Sequence, residues 1–249
     1  LATLLEGAIG DAVKRRAARR RAGLALSPAY CRQVARWYED APTFGAGAAE
    51  LNAYELFKLE TLEQFESLLA AGFTVRPWQD GGQPYSTSRE LRARVADERT
   101  LYVYMTADGH GPDGRHTDSD HIDGGDHPML DFSGYSIDGV AFTYNDLFRA
   151  VHDLFGHVLQ PNAFTIEGEL CAVMSHLTMY SRDAGRVVLS ETAAQICWYY
   201  YGPHLLGTAD EARRYPPQKV LVMPERLVDG FWRMFRFCNP SIADCAVAA

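Results

Sequence analysis

The sequence has no apolar run approaching the roughly 18 residues that a membrane-spanning helix needs, so no membrane partner is expected. Cysteine is scarce: five residues, at positions 31, 171, 197, 238 and 245, form neither a zinc-ribbon spacing nor a Cys-x-x-Cys pair. That excludes a disulfide framework and a thioredoxin-type site, and sets the expectation of reduced thiols in a cytoplasmic protein. Cys171 and Cys197 sit in apolar helical sequence and are expected as small core residues. An excess of basic charge is also missing. The chain has 24 basic and 32 acidic side chains, for a net charge of −8. Residues 1–26 hold six basic and two acidic side chains, leaving −12 on the remainder. A body that acidic repels phosphate backbones, so nucleic acid is not an expected partner, and the N-terminal Arg cluster reads as a solvated helix face. His-Glu-x-x-His, the EF-hand loop and a repeated Glu-x-x-His are all absent, which removes the usual sequence signals of zinc peptidases, Ca²⁺ sensors and diiron carboxylate proteins. No repeat, low-complexity tract or linker interrupts the chain, so residues 1–249 are read as one domain. The chain opens on Leu1, as expected of a trimmed start.

What is present is an ordinary globular composition, 47% hydrophobic and 22% charged. The pattern is mainly α, with a few short strands in an α+β arrangement. Helices are expected over residues 2–22, 30–40 and 50–71, the last with an apolar stripe from Leu51 to Leu69. Short β-like runs follow at Phe73–Val75 and Leu101–Met105, with a short helix near 88–96 between them. A His/Asp-rich stretch from Asp108 to Asp131, holding His110, His116, His121 and His127, reads as a solvated loop placed to act as a lid. Thr143-x-x-Asp146 is a capping-box signature opening a helix, and further helices are expected over 164–180, from Ser190 to Tyr201, and over 225–237.

The stretch that carries chemistry is Val151-His152-Asp153-Leu154-Phe155-Gly156-His157, two imidazoles five residues apart in an apolar run. Two His and one carboxylate suffice to hold a metal on one face. On an ideal helix the two rings point roughly 140° apart, so they share an ion only if the helix is distorted between them, which Gly156 allows. Asp153, at true one-face spacing from His157, is a competing ligand or a group that orients an imidazole. Glu191, Glu169 and His176 are candidates for the remaining position, and a dinuclear centre would use several of them. Gln195, one turn beyond Glu191, would help orient the ligands.

This stretch resembles the catalytic core of the pterin-dependent aromatic amino acid hydroxylases. Their motif, His-Glu-Leu-Leu-Gly-His-Val with a later Glu opening a helix, is matched by His152-Asp-Leu-Phe-Gly-His157-Val158 and by Glu191, over roughly residues 145–200. Asp153 stands where the family has Glu. The resemblance implies a basket-like helical domain, Fe(II) held by His152, His157 and Glu191, and an O₂-dependent hydroxylation of a small aromatic or amino-acid-derived substrate. Pterin enters only through the resemblance, since no pterin-binding segment is identifiable. The family grips its substrate carboxylate with a basic residue before the first His; no Lys or Arg lies between Arg115 and Arg149 here, which leaves Arg149 for that role. Trp198, Tyr199 and Tyr200 are expected to line the pocket. The alternatives are a Zn- or Mn-dependent hydrolase on the same residues and a dinuclear carboxylate oxygenase that includes Glu169 and His176.

Overall fold

The computed structural model describes residues 22–109, 127–205 and 213–237. Its framework is helical. Helix α1 (Pro28–Asp40) starts on Ser27, whose hydroxyl accepts from Tyr30 N–H, with Pro28 supplying a preset φ at the first turn. Its last carbonyls, on Tyr38 and Glu39, and that of Ala41 just beyond receive the buried Lys219 ammonium. Helix α2 (Ala48–Ala70) is the long central element, about 34 Å at 1.5 Å per residue. Tyr54 and Phe57 at its first half enter one apolar cluster, with α1 and the later helices. Phe65 and Leu68 at its second half enter another, with Val75, Leu91, Leu101 and Phe142.

Strands β2 (Thr74–Pro77) and β3 (Thr100–Val103) pair in parallel, joined by α3 (Ser88–Glu98). A short turn of helix, α4 (Thr106–Gly109), follows. Strands β4 (Phe132–Ile137) and β5 (Val140–Thr143) form an antiparallel hairpin. Its two-residue turn, Asp138-Gly139, has φ of 52° and 80°, the geometry that Asp-Gly favours because it matches strand twist. Thr143 and Asp146 then build the expected capping box, each side chain reaching the other's backbone N–H, and open α5 (Tyr144–His152). Phe148 of α5 packs in the first cluster while Leu147 and Val151 pack in the second, so α5 and α2 together tie the two halves of the core.

The chain continues through a π turn (Asp153–Val158), α6 (Ile166–His176), α7 (Arg182–Leu189), a second π turn (Ser190–Ala194) and α8 (Gln195–Tyr201). Helix α9 (Glu225–Arg233) leads into β6 (Phe235–Phe237), which pairs antiparallel with β1 (Ala22–Leu24). Mainly helical architecture with a few short strands is thus present, and among the described residues no helix is long and apolar enough to cross a membrane.

Several expectations need correction. The helix expected over 2–22 lies outside the described residues as far as residue 21, and Ala22–Leu24 is a strand, paired with the Phe235–Phe237 segment that the sequence pattern assigned to a helix end. The third late helix begins at Arg182 rather than near Ser190. The proposed loop falls largely outside the described residues, at 110–126, and the β4–β5 hairpin after it was not expected. Cys197 is buried as expected, while Cys171 is half-buried.

Candidate metal centre

The π turn answers the spacing problem directly. Leu159 N–H reaches back five residues to the Leu154 carbonyl, at 2.9 Å. This wider turn brings His157 beneath His152, and their Nε2 atoms stand 3.0 Å apart. Gly156, inside the turn, lets α6 approach: a Cβ there would lie 2.9 Å from the Ala172 Cβ. Thr165 caps α6 by accepting from Gly168 N–H, and the first turn of that helix presents Glu169.

Glu169 Oε2 lies 3.2 Å from His152 Nε2 and 3.4 Å from His157 Nε2. Among the described residues, His152, His157 and Glu169 are the group whose ligand atoms converge tightly enough to hold an ion. Donor atoms bound about 2.1 Å from one ion lie roughly 3.0 Å apart in adjacent octahedral positions, and roughly 3.4 Å apart in tetrahedral ones. The observed triangle fits one face of such a polyhedron.

The atoms behind the triangle suit the tautomers this requires. His157 Nδ1 faces the Asn162 carbonyl at 3.2 Å, so it carries the hydrogen and leaves the Nε2 lone pair free. Asn162 is held in turn by donating to the Gly156 carbonyl. His152 Nδ1 lies 3.0 Å from His176 Nε2. Burial, reinforced by the two neighbouring imidazoles, holds His176 well below the ordinary His range. The tautomer in which His152 Nδ1 donates to it leaves Nε2 free for an ion.

In the metal-free protein the same three atoms pair with one another instead. Burial alone would push the Glu169 carboxyl up, but hydrogen bonds from His152 and His157 outweigh it and hold it at about 2. Burial resists charging His157, yet Glu169 overcomes that and raises it. Asp153 is pushed up by burial, against the pull of His152 and His157. It lines the same cavity without joining the converging donors.

The triangle stands in the wall of a cavity of about 550 Å³. Phe164 meets His157 edge-on, with ring centroids 4.8 Å apart, and Tyr104 and Tyr215 supply further aromatic lining. Arg149 also lines it, donating to the Tyr104 carbonyl at 2.9 Å and making no ion pair among the described residues.

Glu191 reaches this cavity from another side and is not part of the converging donors. Its Oε1 accepts from Tyr54 Oη at 2.6 Å and its Oε2 from Gln195 Nε2 at 3.2 Å. The carboxylate beside the two imidazoles is therefore Glu169, not the Glu191 implied by the resemblance. Of the other groups singled out in the sequence, His176 supports an imidazole from behind, and Gln195 holds Glu191. Trp198 is not in the cavity wall. It is buried in the core, stacked on His204, with Nε1 donating to Glu39. Tyr199 and Tyr200, which pack edge-to-face on each other, also lie outside the lining. The π turn at Ser190–Ala194 shifts the phase of the helix between Glu191 and Trp198, so a seven-residue spacing no longer means a shared face. Sequence reasoning missed Tyr54, Asn162 and Phe164; of these only Phe164, an exposed aromatic next to the paired His, carried a local signal.

Comparison with protein-family models, with curated proteins and with solved structures finds no match to this chain.

Proposed function

We propose that this chain is a mononuclear non-haem Fe(II)-dependent oxygenase that uses O₂ to oxidise a small, aromatic or amino-acid-derived substrate. The observation that carries the reading is the triangle of His152 Nε2, His157 Nε2 and Glu169 Oε2, with sides of 3.0, 3.2 and 3.4 Å, in a cavity wall. The donor set suits iron, and a three-point facial arrangement leaves the opposite positions for O₂ and substrate. Iron held there would supply oxygen activation and insertion.

The protein's own part is orientation. The Asn162 carbonyl fixes the His157 tautomer, and His176 holds the His152 ring in place. The guanidinium of Arg149 offers an anchor for an anionic substrate group, and Phe164, Tyr104 and Tyr215 give a planar substrate aromatic walls. Asp153, its carboxyl pushed up by burial, supports the site beside His152. The resemblance of the His152–Val158 segment to the aromatic amino acid hydroxylases points to the same reaction class, and pterin stays an untested co-substrate.

The same triangle suits Zn(II) or Mn(II), since its 3.4 Å edge is close to a tetrahedral separation. A metal-assisted hydrolase is the second reading. Anaerobic loading with Fe(II), metal analysis and oxygen-electrode assays with aromatic amino acids and phenols test the proposal. The expected result is about one iron per chain in the wild type, none in His152→Ala and Glu169→Ala, and substrate-dependent oxygen uptake. Zinc binding in preference to iron, with hydrolysis and no oxygen uptake, would establish the second reading instead.

A further inference from the structure

Glu191 is a buried carboxyl, its side chain 6% exposed, set in the wall of the cavity away from the metal triangle. An isolated buried carboxylate is costly unless its oxygens are satisfied. The groups around it meet that need in an unusual way. Tyr54 Oη accepts the Leu221 N–H at 3.0 Å and has a single hydrogen of its own. That hydrogen has two acceptors within reach: Glu191 Oε1 at 2.6 Å and the Leu221 carbonyl at 3.1 Å.

Two hydrogen-bond patterns therefore fit the same heavy-atom positions. With Glu191 ionised, Tyr54 donates to Oε1. With Glu191 protonated on Oε1, the carboxyl donates to Tyr54 Oη, and the phenolic hydrogen turns to the Leu221 carbonyl. Neither state leaves a polar atom of Tyr54 unpaired.

The other neighbours are compatible with both. Gln195 Nε2 donates to Oε2. His127 Nδ1 accepts the Met129 N–H at 3.2 Å, and its Nε2, which makes no hydrogen bond among the described residues, lies 3.7 Å from Oε1. Tyr38 is the remaining titratable group that senses Glu191.

We propose that Glu191 is the proton-exchanging carboxyl of the cavity, giving a proton to, or taking one from, a hydroxyl or amine of a bound ligand, with Tyr54 as the hydroxyl that follows its state. In the accepting direction, the ligand O–H or N–H bond breaks and an O–H bond forms on the Glu191 carboxyl, which in its protonated state carries the hydrogen on Oε1. The electron pair stays on the ligand heteroatom, the Tyr54 hydrogen turns to Leu221, and nothing is oxidised. This role needs no ion at the triangle, so it stands apart from the oxygenase reading.

Infrared difference spectroscopy of the full chain during a pH titration, in H₂O and D₂O, tests it. Circular dichroism serves as the fold control. The expected result is a protonated-carboxyl C=O band that grows on acidification, exchanges promptly in D₂O and is lost in Glu191→Gln. In Tyr54→Phe the band is retained, moves to higher frequency and titrates at higher pH, because a donor to the ionised form is gone. Glu191→Gln keeps the iron content of the wild type. A band that persists in Glu191→Gln, fails to exchange in D₂O, or is unmoved in Tyr54→Phe overturns the inference, and so does loss of iron binding confined to Glu191→Gln. Failure of iron binding in the wild type and all variants alike, with the band behaving as described, would overturn only the oxygenase reading and uphold this one.

Discussion

At the scale of single residues, His152 has both ring nitrogens committed: Nε2 to the metal triangle and Nδ1 to His176. Removing His176 frees the ring to rotate or change tautomer. His176→Ala is expected to weaken metal affinity by roughly 10- to 100-fold while leaving all three ligands in place. Competition titration against a coloured chelator measures this; affinity equal to the wild type would mean that His176 only fills space. A pH dependence belongs to Glu169. Its folded pKa is lowered from 4.5 to about 2, so its contribution to the stability of the metal-free protein is fully present above the ordinary carboxyl range. The contribution is lost as pH falls through that range toward about 2. His157 is shifted the other way, so its contribution is present at lower pH and fades as pH rises through its raised value. Urea unfolding of the metal-free protein is therefore expected to lose stability on acidification, with a smaller loss in Glu169→Gln. The same acid sensitivity in both proteins would remove Glu169 as its source.

At the scale of elements, the centre depends on two segments meeting closely: the π turn and α6. Gly156→Ala places a Cβ 2.9 Å from the Ala172 Cβ, between the segments that carry the imidazoles and Glu169. About 1–3 kcal/mol of destabilisation is expected, together with loss of metal binding larger than the stability change accounts for. Thermal unfolding and metal titration of the one variant separate the two effects. This dependence also explains what the sequence could reveal. The helices α1, α2 and α3, the capping box at Thr143 and the paired imidazoles were legible because apolar period, caps and Gly/Pro punctuation are local. The distortion between His152 and His157 was legible too, because five residues is the wrong spacing for an α-helix. Glu169 and Glu191 are both acids on neighbouring helical segments, and which one meets the imidazoles depends on tertiary packing such as that of Gly156 on Ala172. The β1–β6 pairing joins residues at opposite ends of the described chain, beyond any local pattern. The β4–β5 hairpin did leave a signal, Ile137-Asp-Gly-Val140, overshadowed by the adjoining His/Asp-rich loop.

At the scale of the whole molecule, the cavity lies where α5 joins the two apolar clusters. Phe148 packs on Phe57 of α2, with centroids 4.9 Å apart, and also lines the cavity. Metal bound only by the folded chain stabilises it by mass action, about 2.7 kcal/mol at a hundredfold excess over Kd. The thermal midpoint should therefore rise with Fe(II) concentration under anaerobic conditions in the wild type and in Glu191→Gln, and not in Glu169→Gln. The most direct measurement is crystallography of the iron-loaded chain with anomalous scattering at the iron edge. The account predicts one strong peak, about 2.1 Å from His152 Nε2, His157 Nε2 and Glu169 Oε2, with Glu191 still on Tyr54. A peak ligated by Glu191 instead of Glu169, or no peak between the two imidazoles, would contradict it.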